Sequence, residues 1–342
     1  MVTEVAEVVD SKPYVEHDPL IGYRYVAGVR KTLARPGGGQ YEIVINSAGI
    51  RSSRNYSKQK PAGTFRILVF GDSYAAGQFV SNDQRFSEIL ERRVEALEVI
   101  NFALEGTGTD QQLLMYENVA ADYEHDLVMV FPFLQNIRRN MVQARVAYDA
   151  KTGTRVLRGK PRFELCDGRL ELRNTPVPAE QPSDGELASG TPSDERLGIA
   201  DRMKASISQS PAAGLLKKLI YAIKPWEPFP EYRHADSPPW RLMAALLGRF
   251  KERAADHPLV IVPVFYDSYV RYRMARNYWD RFRSLDGPGV HVVDLLPHFR
   301  RLGPDAVSCF QVPYDCHFSS HGHLVVADAI LDELAQRQLI QT

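Results

Sequence analysis

Short, mostly apolar runs recur along the chain, and they are separated by segments of a different periodicity. The runs lie at 65–70, 99–102, 127–131, 259–264 and 290–293, and they are rich in β-branched and aromatic residues. The run at 127–131 is apolar at every position, as expected of a central strand covered on both faces. Strands that alternate with helices in this way predict right-handed βαβ units and a parallel sheet, and therefore an α/β fold.

The segments between these runs supply the helices of that pattern. The predicted helices lie at 86–97, 111–123, 240–255, 269–285 and 321–336. In the first of them, apolar residues recur at helical spacing after polar residues that can cap a helix. The sequence contains no internal repeat.

Charge and hydropathy exclude several classes of protein. The chain has 342 residues, with 42 basic and 42 acidic side chains. A balanced charge provides no net field that would attract nucleic acid or an anionic membrane. No apolar stretch is long enough to span a bilayer. Residues 1–12 are acidic and lack the layout of a secretory signal, so the expected location is cytoplasmic.

Composition divides the chain into two parts. Residues 1–64 are predicted to form an N-terminal extension that packs on the core, with 1–12 disordered and a strand at 41–45. Residues 65–342 are predicted to form the main domain. An insertion at about 150–238 interrupts its α/β pattern.

The insertion has three recognisable pieces. A hairpin is predicted around Asp167-Gly168, and a polar stretch at 176–194 is predicted to be mobile. A helix is predicted at 212–223, and it overlaps a basic amphipathic segment at 215–224. That segment either contacts a membrane surface or an acyl chain, or it lies on the core with its lysines in water.

The junction after the first apolar run carries the clearest chemical signal. Gly71 closes the run and permits a sharp turn, and Ser73 follows at the carboxyl end of the strand. Open α/β sheets bind their ligands at that edge. Ser73 is therefore a candidate nucleophile if a histidine can reach it, and a helix-capping serine if none can.

A candidate base and its orienting acid lie near the C-terminus. His317 could accept the Ser73 proton and return it to a leaving group. Asp315, two residues earlier, could fix the tautomer of the imidazole and stabilise its charged form. A loop that fails to aim Asp315 at the ring would leave a Ser73–His317 dyad.

Three groups are candidate donors to an oxyanion. Gly106 lies in the turn after the second strand, where glycine lets a backbone N–H face a substrate, and Gly108 is its competitor. Asn136 follows the third strand and offers a side-chain amide, and the N–H of Ser73 would be the third donor. All these residues follow carboxyl ends of predicted parallel strands, which share one edge.

Two further features near these residues have structural interpretations. Asp72 is predicted to bond nearby backbone rather than to act in catalysis. The pair Arg138-Arg139 could meet an anionic substrate, but an exposed arginine pair usually has no specific role.

Four motifs together resemble the conserved blocks of the SGNH, or GDSL-type, hydrolase family: Gly71-Asp72-Ser73, Gly106, Asn136 and Asp315-x-His317. Their order and spacing are similar to the family's, and the resemblance covers about 65–140 and 258–336. Three departures are Tyr74, where many members have leucine, Ile137 after Asn136, where many have aspartate, and the two-residue spacing from Asp315 to His317.

The resemblance implies a three-layer α/β/α, flavodoxin-like fold with a central parallel sheet. It also implies a Ser73–His317–Asp315 triad, an oxyanion hole from Ser73, Gly106 and Asn136, and no metal or organic cofactor. The implied substrate is a small acyl ester, with O-acetylated carbohydrate as one candidate. O-acyl transfer through the same acyl-enzyme and an inactive ligand-binding module are the alternative functions.

Cysteine and histidine patterns point away from a metal site or a disulfide framework. Cys166, Cys309 and Cys316 are few and irregularly spaced, so free thiols are expected, with a Cys309–Cys316 pair as the alternative. His321 and His323 follow His317 but do not match zinc spacings. His323 is predicted to be a buried or capping residue.

Overall fold

The computed structural model describes residues 13–148, 155–179 and 225–340. Among them, the N-terminal part forms two antiparallel hairpins. They consist of β1 (Val15–Asp18) with β2 (Gly22–Tyr25), and β3 (Arg30–Ala34) with β4 (Gln40–Val44). The sequence predicted only the last of these strands. The other three strands lack an apolar run of the kind on which that prediction rested. Most residues of β1 and β3 are exposed or half-buried, so these strands need no such run.

A five-stranded parallel sheet forms the centre of the molecule. Its strands are β5 (Phe65–Gly71), β6 (Leu97–Asn101), β7 (Leu127–Phe131), β12 (Leu259–Ile261) and β13 (Val290–Val292), in the spatial order β13-β12-β7-β5-β6. Every residue of β6 and β7 is buried. The five predicted strands and the parallel pairing are confirmed.

Helices cover both faces of this sheet. They are α1 (Ser73–Ala76), α2 (Phe86–Arg93), α3 (Thr109–Met115), α4 (Asn136–Arg139), α5 (Pro238–Ala254), α6 (Ser268–Arg271), α7 (Asn277–Arg283), α8 (Leu295–Arg300) and α9 (Ser320–Gln336). Phe131 of β7 packs on Phe86 of α2, with ring centroids 4.8 Å apart. Phe70 of β5 points the other way and packs on Phe250 of α5, at 5.6 Å. The fold is therefore a three-layer α/β/α arrangement.

Two predicted helices were too long. The helix predicted at 86–97 ends at Arg93, because Ala96 has a φ of +57° and Leu97 already pairs with Phe65 in the sheet. The helix predicted at 269–285 is broken into α6 and α7. Between them Met274 forms a parallel β-bridge with Trp226, so its backbone is extended and not helical.

One further predicted helix has different bounds in the structure, and one observed helix was not predicted. The helix predicted at 111–123 begins earlier, at Thr109, and passes from α3 into a π-helical turn at Tyr116–Ala120. Helix α8 was not predicted, because Pro297 lies inside it. Proline is tolerated there since it falls in the first turn, where backbone N–H groups lack helical partners.

Two antiparallel strand pairs lie within or next to the predicted insertion. Strands β8 (Ala144–Tyr148) and β9 (Arg155–Gly159) form an antiparallel pair. The hairpin predicted around Asp167-Gly168 is confirmed as β10 (Arg162–Cys166) and β11 (Arg169–Arg173). The helix predicted at 212–223 and most of the polar stretch at 176–194 lie outside the described residues, as do residues 1–12. Within the described part of the chain, the helices are all too short or too polar to cross a membrane.

Candidate active site

The first site residue follows directly from the end of β5. Asp72 is the N-cap of the short helix α1, and its Oδ1 accepts a hydrogen bond from the Tyr74 N–H at 3.1 Å. Ser73 is then the first residue of the helix and is 5 % exposed. Gly71 does not adopt a positive φ. It is required for space, because a Cβ there would lie 2.5 Å from the Cβ of Ala75.

The structure brings Ser73, His317 and Asp315 together. The Ser73 Oγ lies 2.7 Å from Nε2 of His317, and Nδ1 of the same ring is hydrogen-bonded to Oδ1 of Asp315. The His317 backbone N–H also donates to that Oδ1, at 2.8 Å. Burial raises the pKa of Asp315, but the hydrogen bonds and charge of His317 outweigh it and lower the pKa below its ordinary value. The two-residue spacing therefore aims the carboxylate at the ring.

Aromatic side chains fix the position of the imidazole. The ring of Tyr74 packs on His317 with centroids 4.7 Å apart, and its hydroxyl donates to the Cys316 carbonyl at 3.1 Å. Phe79 meets the ring edge-on at 5.8 Å. The sequence drew attention to Tyr74 only as a variant of a motif. Its contacts with the loop of His317 could not be inferred from its position beside Ser73.

An arginine links three of the predicted segments. The Arg139 Nη1 lies 2.7 Å from Oδ2 of Asp72, 3.2 Å from Oδ1 of Asn136 and 3.5 Å from the Thr107 carbonyl. Complete burial raises the pKa of Asp72, and the Arg139 charge opposes that rise. The prediction that the arginine pair has no specific role was wrong, since Arg138 also pairs with Glu231. The spacing of three residues between Asn136 and Arg139 on one helix was the signal that could have revealed this.

Asn136 is oriented as a hydrogen-bond donor. Its side chain is completely buried, and because arginine only donates, the atom that faces Arg139 must be Oδ1. The Nδ2 of Asn136 is buried without a hydrogen-bond partner among the described residues. An unpaired buried donor costs about 1–3 kcal/mol. An unpaired buried group of this kind has a catalytic role or an ordered water among its explanations.

The loop around Gly106 is tied to the end of β5. The Leu104 N–H donates to the Gly71 carbonyl at 3.1 Å, and the Thr107 hydroxyl lies 3.2 Å from the same oxygen. Gly106 has a φ of +79°, a conformation that favours glycine. The Gly108 N–H instead lies 3.2 Å from Oε1 of Gln111, to which it donates. Of the two glycines, Gly106 is therefore the better candidate donor.

Strand β2 of the N-terminal extension holds this loop from the other side. The Tyr23 hydroxyl donates to the carbonyl of Glu105, which belongs to the same peptide group as the Gly106 N–H. The Tyr25 hydroxyl donates to Oε2 of the Glu105 side chain at 2.6 Å. Arg51 approaches the other carboxylate oxygen to 3.8 Å. No motif marked these residues, and their role depends on how the extension folds back.

Arg51 also supports the nucleophile turn from behind. It is fully buried, and its Nη1 donates to the carbonyls of Ala76 at 2.6 Å and Gly77 at 2.9 Å. These carbonyls lie at the end of α1, where helical partners are absent. The extension thus supplies side chains to the interior on both sides of Ser73.

The inserted region contributes a buried ion pair. Lys160 and Asp110 are 1 % and 0 % exposed, and the Lys160 Nζ lies 2.5 Å from the Asp110 Oδ2. The same ammonium donates to the carbonyls of Arg139 and Val142, each at 3.1 Å. Lys160 therefore connects the helix that follows Gly106 to the segment that follows Asn136.

Other predicted residues have structural surroundings. His323 is buried, as predicted, and burial lowers its pKa to about 3, so the ring is neutral. His321 lies 2.9 Å from the Ser308 hydroxyl. The three cysteines are free thiols, so the alternative Cys309–Cys316 pair is wrong.

One cluster of possible metal ligands occurs in the described part of the chain. The ligand atoms of Asp315, Cys316 and His317 all lie within 4.8 Å of one another. Both ring nitrogens of His317 are already hydrogen-bonded, to Asp315 and Ser73. A metal bound through that ring would therefore disrupt the Ser73–His317–Asp315 arrangement.

A separate cavity of about 220 Å³ lies between the N-terminal extension and the sheet, lined by Tyr25, Arg51, Phe102, Leu104 and Met115 among others. None of Ser73, His317, Asp315 and Asn136 lines it. The cavity is therefore not the place where a substrate would meet Ser73.

The fold and the site define an α/β protein in which Ser73 is hydrogen-bonded to His317, and His317 is hydrogen-bonded to Asp315. No family model and no curated protein matches the chain. Similar solved structures include a lipase/acylhydrolase from Enterococcus faecalis, at 14 % identity and a TM-score of 0.41, covering 80 % of this chain and 97 % of that one.

Two others are a member of the lipolytic G-D-S-L family from Veillonella parvula and a catalytic mutant of an acetylxylan esterase from Geobacillus stearothermophilus. Both are 11 % identical, with TM-scores of 0.41 and 0.40. They cover 79 % and 80 % of this chain and 97 % and 96 % of their own. The family that the motifs resemble is thus represented among these structures. At this level of likeness they carry no argument about activity.

Proposed function

We propose that the chain is a serine esterase that cleaves small acyl esters through an acyl-enzyme. The observation that carries this proposal is the continuous hydrogen-bonded series from Ser73 through His317 to Asp315. The buried amide of Asn136, which has no partner among the described residues, supports it. Arg139 links Asn136 to Asp72, the residue before Ser73.

Acylation would begin at the Ser73 hydroxyl. Because Nδ1 of His317 donates to Asp315, Nε2 is free to accept the Ser73 proton as Oγ attacks the ester carbonyl. The carbonyl π electrons move to its oxygen, which accepts hydrogen bonds from Asn136 Nδ2 and the N–H groups of Gly106 and Ser73. The ionised Asp315 stabilises the imidazolium. Collapse then breaks the bond to the alcohol oxygen, which takes the proton from Nε2.

Deacylation would repeat the sequence with water. His317 accepts a proton from the water as its oxygen attacks the acyl carbon, and the same donors bind the second oxyanion. Collapse releases the carboxylic acid and returns the proton to Ser73 Oγ. An alcohol that replaced this water would receive the acyl group, which is the transferase alternative.

The test is the variant Ser73→Ala. It should lower the hydrolysis of p-nitrophenyl acetate by at least about 10⁴-fold and abolish labelling by a fluorophosphonate probe. Ser53→Ala, which changes an exposed serine of the N-terminal part, is the matched control and should keep both signals. Undiminished probe labelling of Ser73→Ala would remove Ser73 from the proposed role.

A further inference from the structure

Most cations near the site are neutralised by a carboxylate. Arg138 pairs with Glu231, Arg139 with Asp72 and Lys160 with Asp110. Arg145, in strand β8, is different, because no described residue offers it a carboxylate within ion-pair distance. A positive charge without a counter-ion can attract an anionic ligand and form charge-assisted hydrogen bonds with it.

Arg145 lies beside the loop that carries Gly106. Its guanidinium lies over the ring of Tyr23, with the carbon 3.5 Å from the ring centroid. Its Nη1 lies 3.7 Å from the point that a Cβ on Gly106 would occupy. Tyr23 in turn donates to the Glu105 carbonyl. Arg145 is therefore adjacent to the peptide group proposed to bind the substrate carbonyl oxygen.

The chemistry of this guanidinium favours recognition of an anion. Stacking on Tyr23 occupies one face of the plane and leaves the N–H groups along its edges. The Nε is buried and has no hydrogen-bond partner among the described residues, and leaving a buried donor unpaired is costly. A carboxylate, phosphate or sulfate can accept two parallel hydrogen bonds from such an edge.

We propose that Arg145 binds an anionic group of the ester substrate and sets a preference for negatively charged esters. This inference rests on the proposed function, because it assigns the substrate class of the same site. The anion belongs either to the acyl half or to the alcohol half of the ester. Both sources share the chemistry that Arg145 recognises, and the experiment separates them.

The experiment compares matched pairs of anionic and neutral esters. For the acyl half, p-nitrophenyl hydrogen adipate is compared with p-nitrophenyl hexanoate. For the alcohol half, 4-acetoxybenzoate is compared with its methyl ester. The measured quantity is the ratio of kcat/KM for the anionic ester to that for the neutral ester, so intrinsic reactivity cancels between enzyme variants.

In Arg145→Gln this ratio should fall by about tenfold to 100-fold for one pair, the range expected for a charged hydrogen bond. The kcat/KM of the neutral ester should stay within about threefold of wild type, since it lacks the group that Arg145 binds. Arg145→Lys keeps the charge without the planar edge and should retain part of the preference. Arg169→Gln, an exposed arginine of β11, is the matched control and should leave both ratios unchanged.

Two outcomes would overturn the inference. One is an unchanged ratio for both pairs in Arg145→Gln. The other is an equal loss for anionic and neutral esters, which would make Arg145 a packing or oxyanion residue. Calorimetric binding of the anionic esters to Ser73→Ala, with and without Arg145→Gln, separates this from failure of the proposed function. Binding that weakens tenfold or more supports the anion site even if no ester is hydrolysed.

Discussion

The two sides of the site are built in different ways. On the side of the proposed triad (Ser73, His317 and Asp315; the triad side), Asp315 and His317 belong to one loop, which closes on itself through the bond from the Gln311 N–H to the His317 carbonyl at 2.9 Å. On the side of the proposed oxyanion donors (Gly106 and Asn136; the oxyanion side), the loop of Gly106 is held by Tyr23 from the N-terminal extension. The Asp315–His317 pair is therefore a local motif, whereas the loop of Gly106 is held by a residue 82 positions away from Glu105.

This difference indicates what each region outside the sheet contributes. The extension supplies Tyr23, Tyr25 and Arg51, and the inserted region supplies Lys160. Among the described residues, none of these side chains is hydrogen-bonded to Ser73 or His317. Tyr23 and Tyr25 hold the loop of Gly106. Arg51 holds the end of the nucleophile turn, and Lys160 connects Asp110 to the segment after Asn136. We therefore expect changes on the triad side to act on chemistry directly, and changes on the other side to act through position and stability.

The largest effect is expected on the triad side, from Asp315→Asn. The amide cannot accept the Nδ1 proton and stabilise an imidazolium as the carboxylate does, so kcat should fall by about 10³- to 10⁴-fold. The midpoint of thermal unfolding should change little. Asp305→Asn removes the same charge from an exposed position and is the control. If Asp315→Asn costs less than about tenfold while His317→Ala removes activity, the site works as a dyad and the comparison fails on this side.

The next effect tests the support of the oxyanion side through Lys160→Met. Removing one partner leaves Asp110 buried and unpaired, so the free energy of unfolding should fall by about 3–5 kcal/mol, measured by urea denaturation. Lys58→Met breaks an exposed pair with Asp122 and should leave the urea midpoint nearly unchanged. A stability equal to wild type would show that the buried pair does not hold these segments together.

The same variant has a defined pH dependence. Burial raises the pKa of Asp110 above its ordinary value, and Lys160 opposes that rise. Without Lys160 the pKa in the folded state rises further, so the folded protein binds a proton more readily than the unfolded chain. The destabilisation should therefore be smallest below about pH 4 and grow as pH rises.

The same division governs what could be predicted from the sequence. The five strands and the order of the motifs were predictable, because apolar runs report burial and parallel strands bring their carboxyl ends to one edge. The same reasoning predicted that Ser73, His317 and Asp315 lie close together. The helix boundaries at Arg93 and Arg271 were not predictable, because sheet pairing and a bridge from Trp226 override helical spacing.

The support of the oxyanion side could not be predicted for a different reason. Tyr23 bonds the Glu105 carbonyl and Lys160 bonds the Asp110 carboxylate, and each partner lies more than forty positions away. Neither Tyr23 nor Lys160 lies in a motif or a periodic segment. A lone tyrosine in a short, weakly patterned strand gives no signal of that partner. Arg139 is the exception, because its helical spacing from Asn136 was visible in the sequence.

The smallest expected effect gives the sharpest test, because it separates the orientation of the Gly106 N–H from the packing of its loop. Tyr23→Phe keeps the ring under Arg145 but removes the hydrogen bond to the Glu105 carbonyl. A bond to that carbonyl orients and polarises the peptide group whose N–H would face the oxyanion, so its loss should lower kcat by about fivefold to tenfold. KM should be nearly unchanged, because the ground-state contacts remain.

Tyr25→Phe is the matched control for this variant. Its hydroxyl bonds the Glu105 carboxylate rather than the carbonyl, so kcat should stay close to wild type. If both tyrosine hydroxyls had a purely structural role, the two variants would lose thermal stability and would have the same kcat. An equal kcat for Tyr23→Phe and Tyr25→Phe would mean that the extension holds the loop in place without orienting the Gly106 N–H.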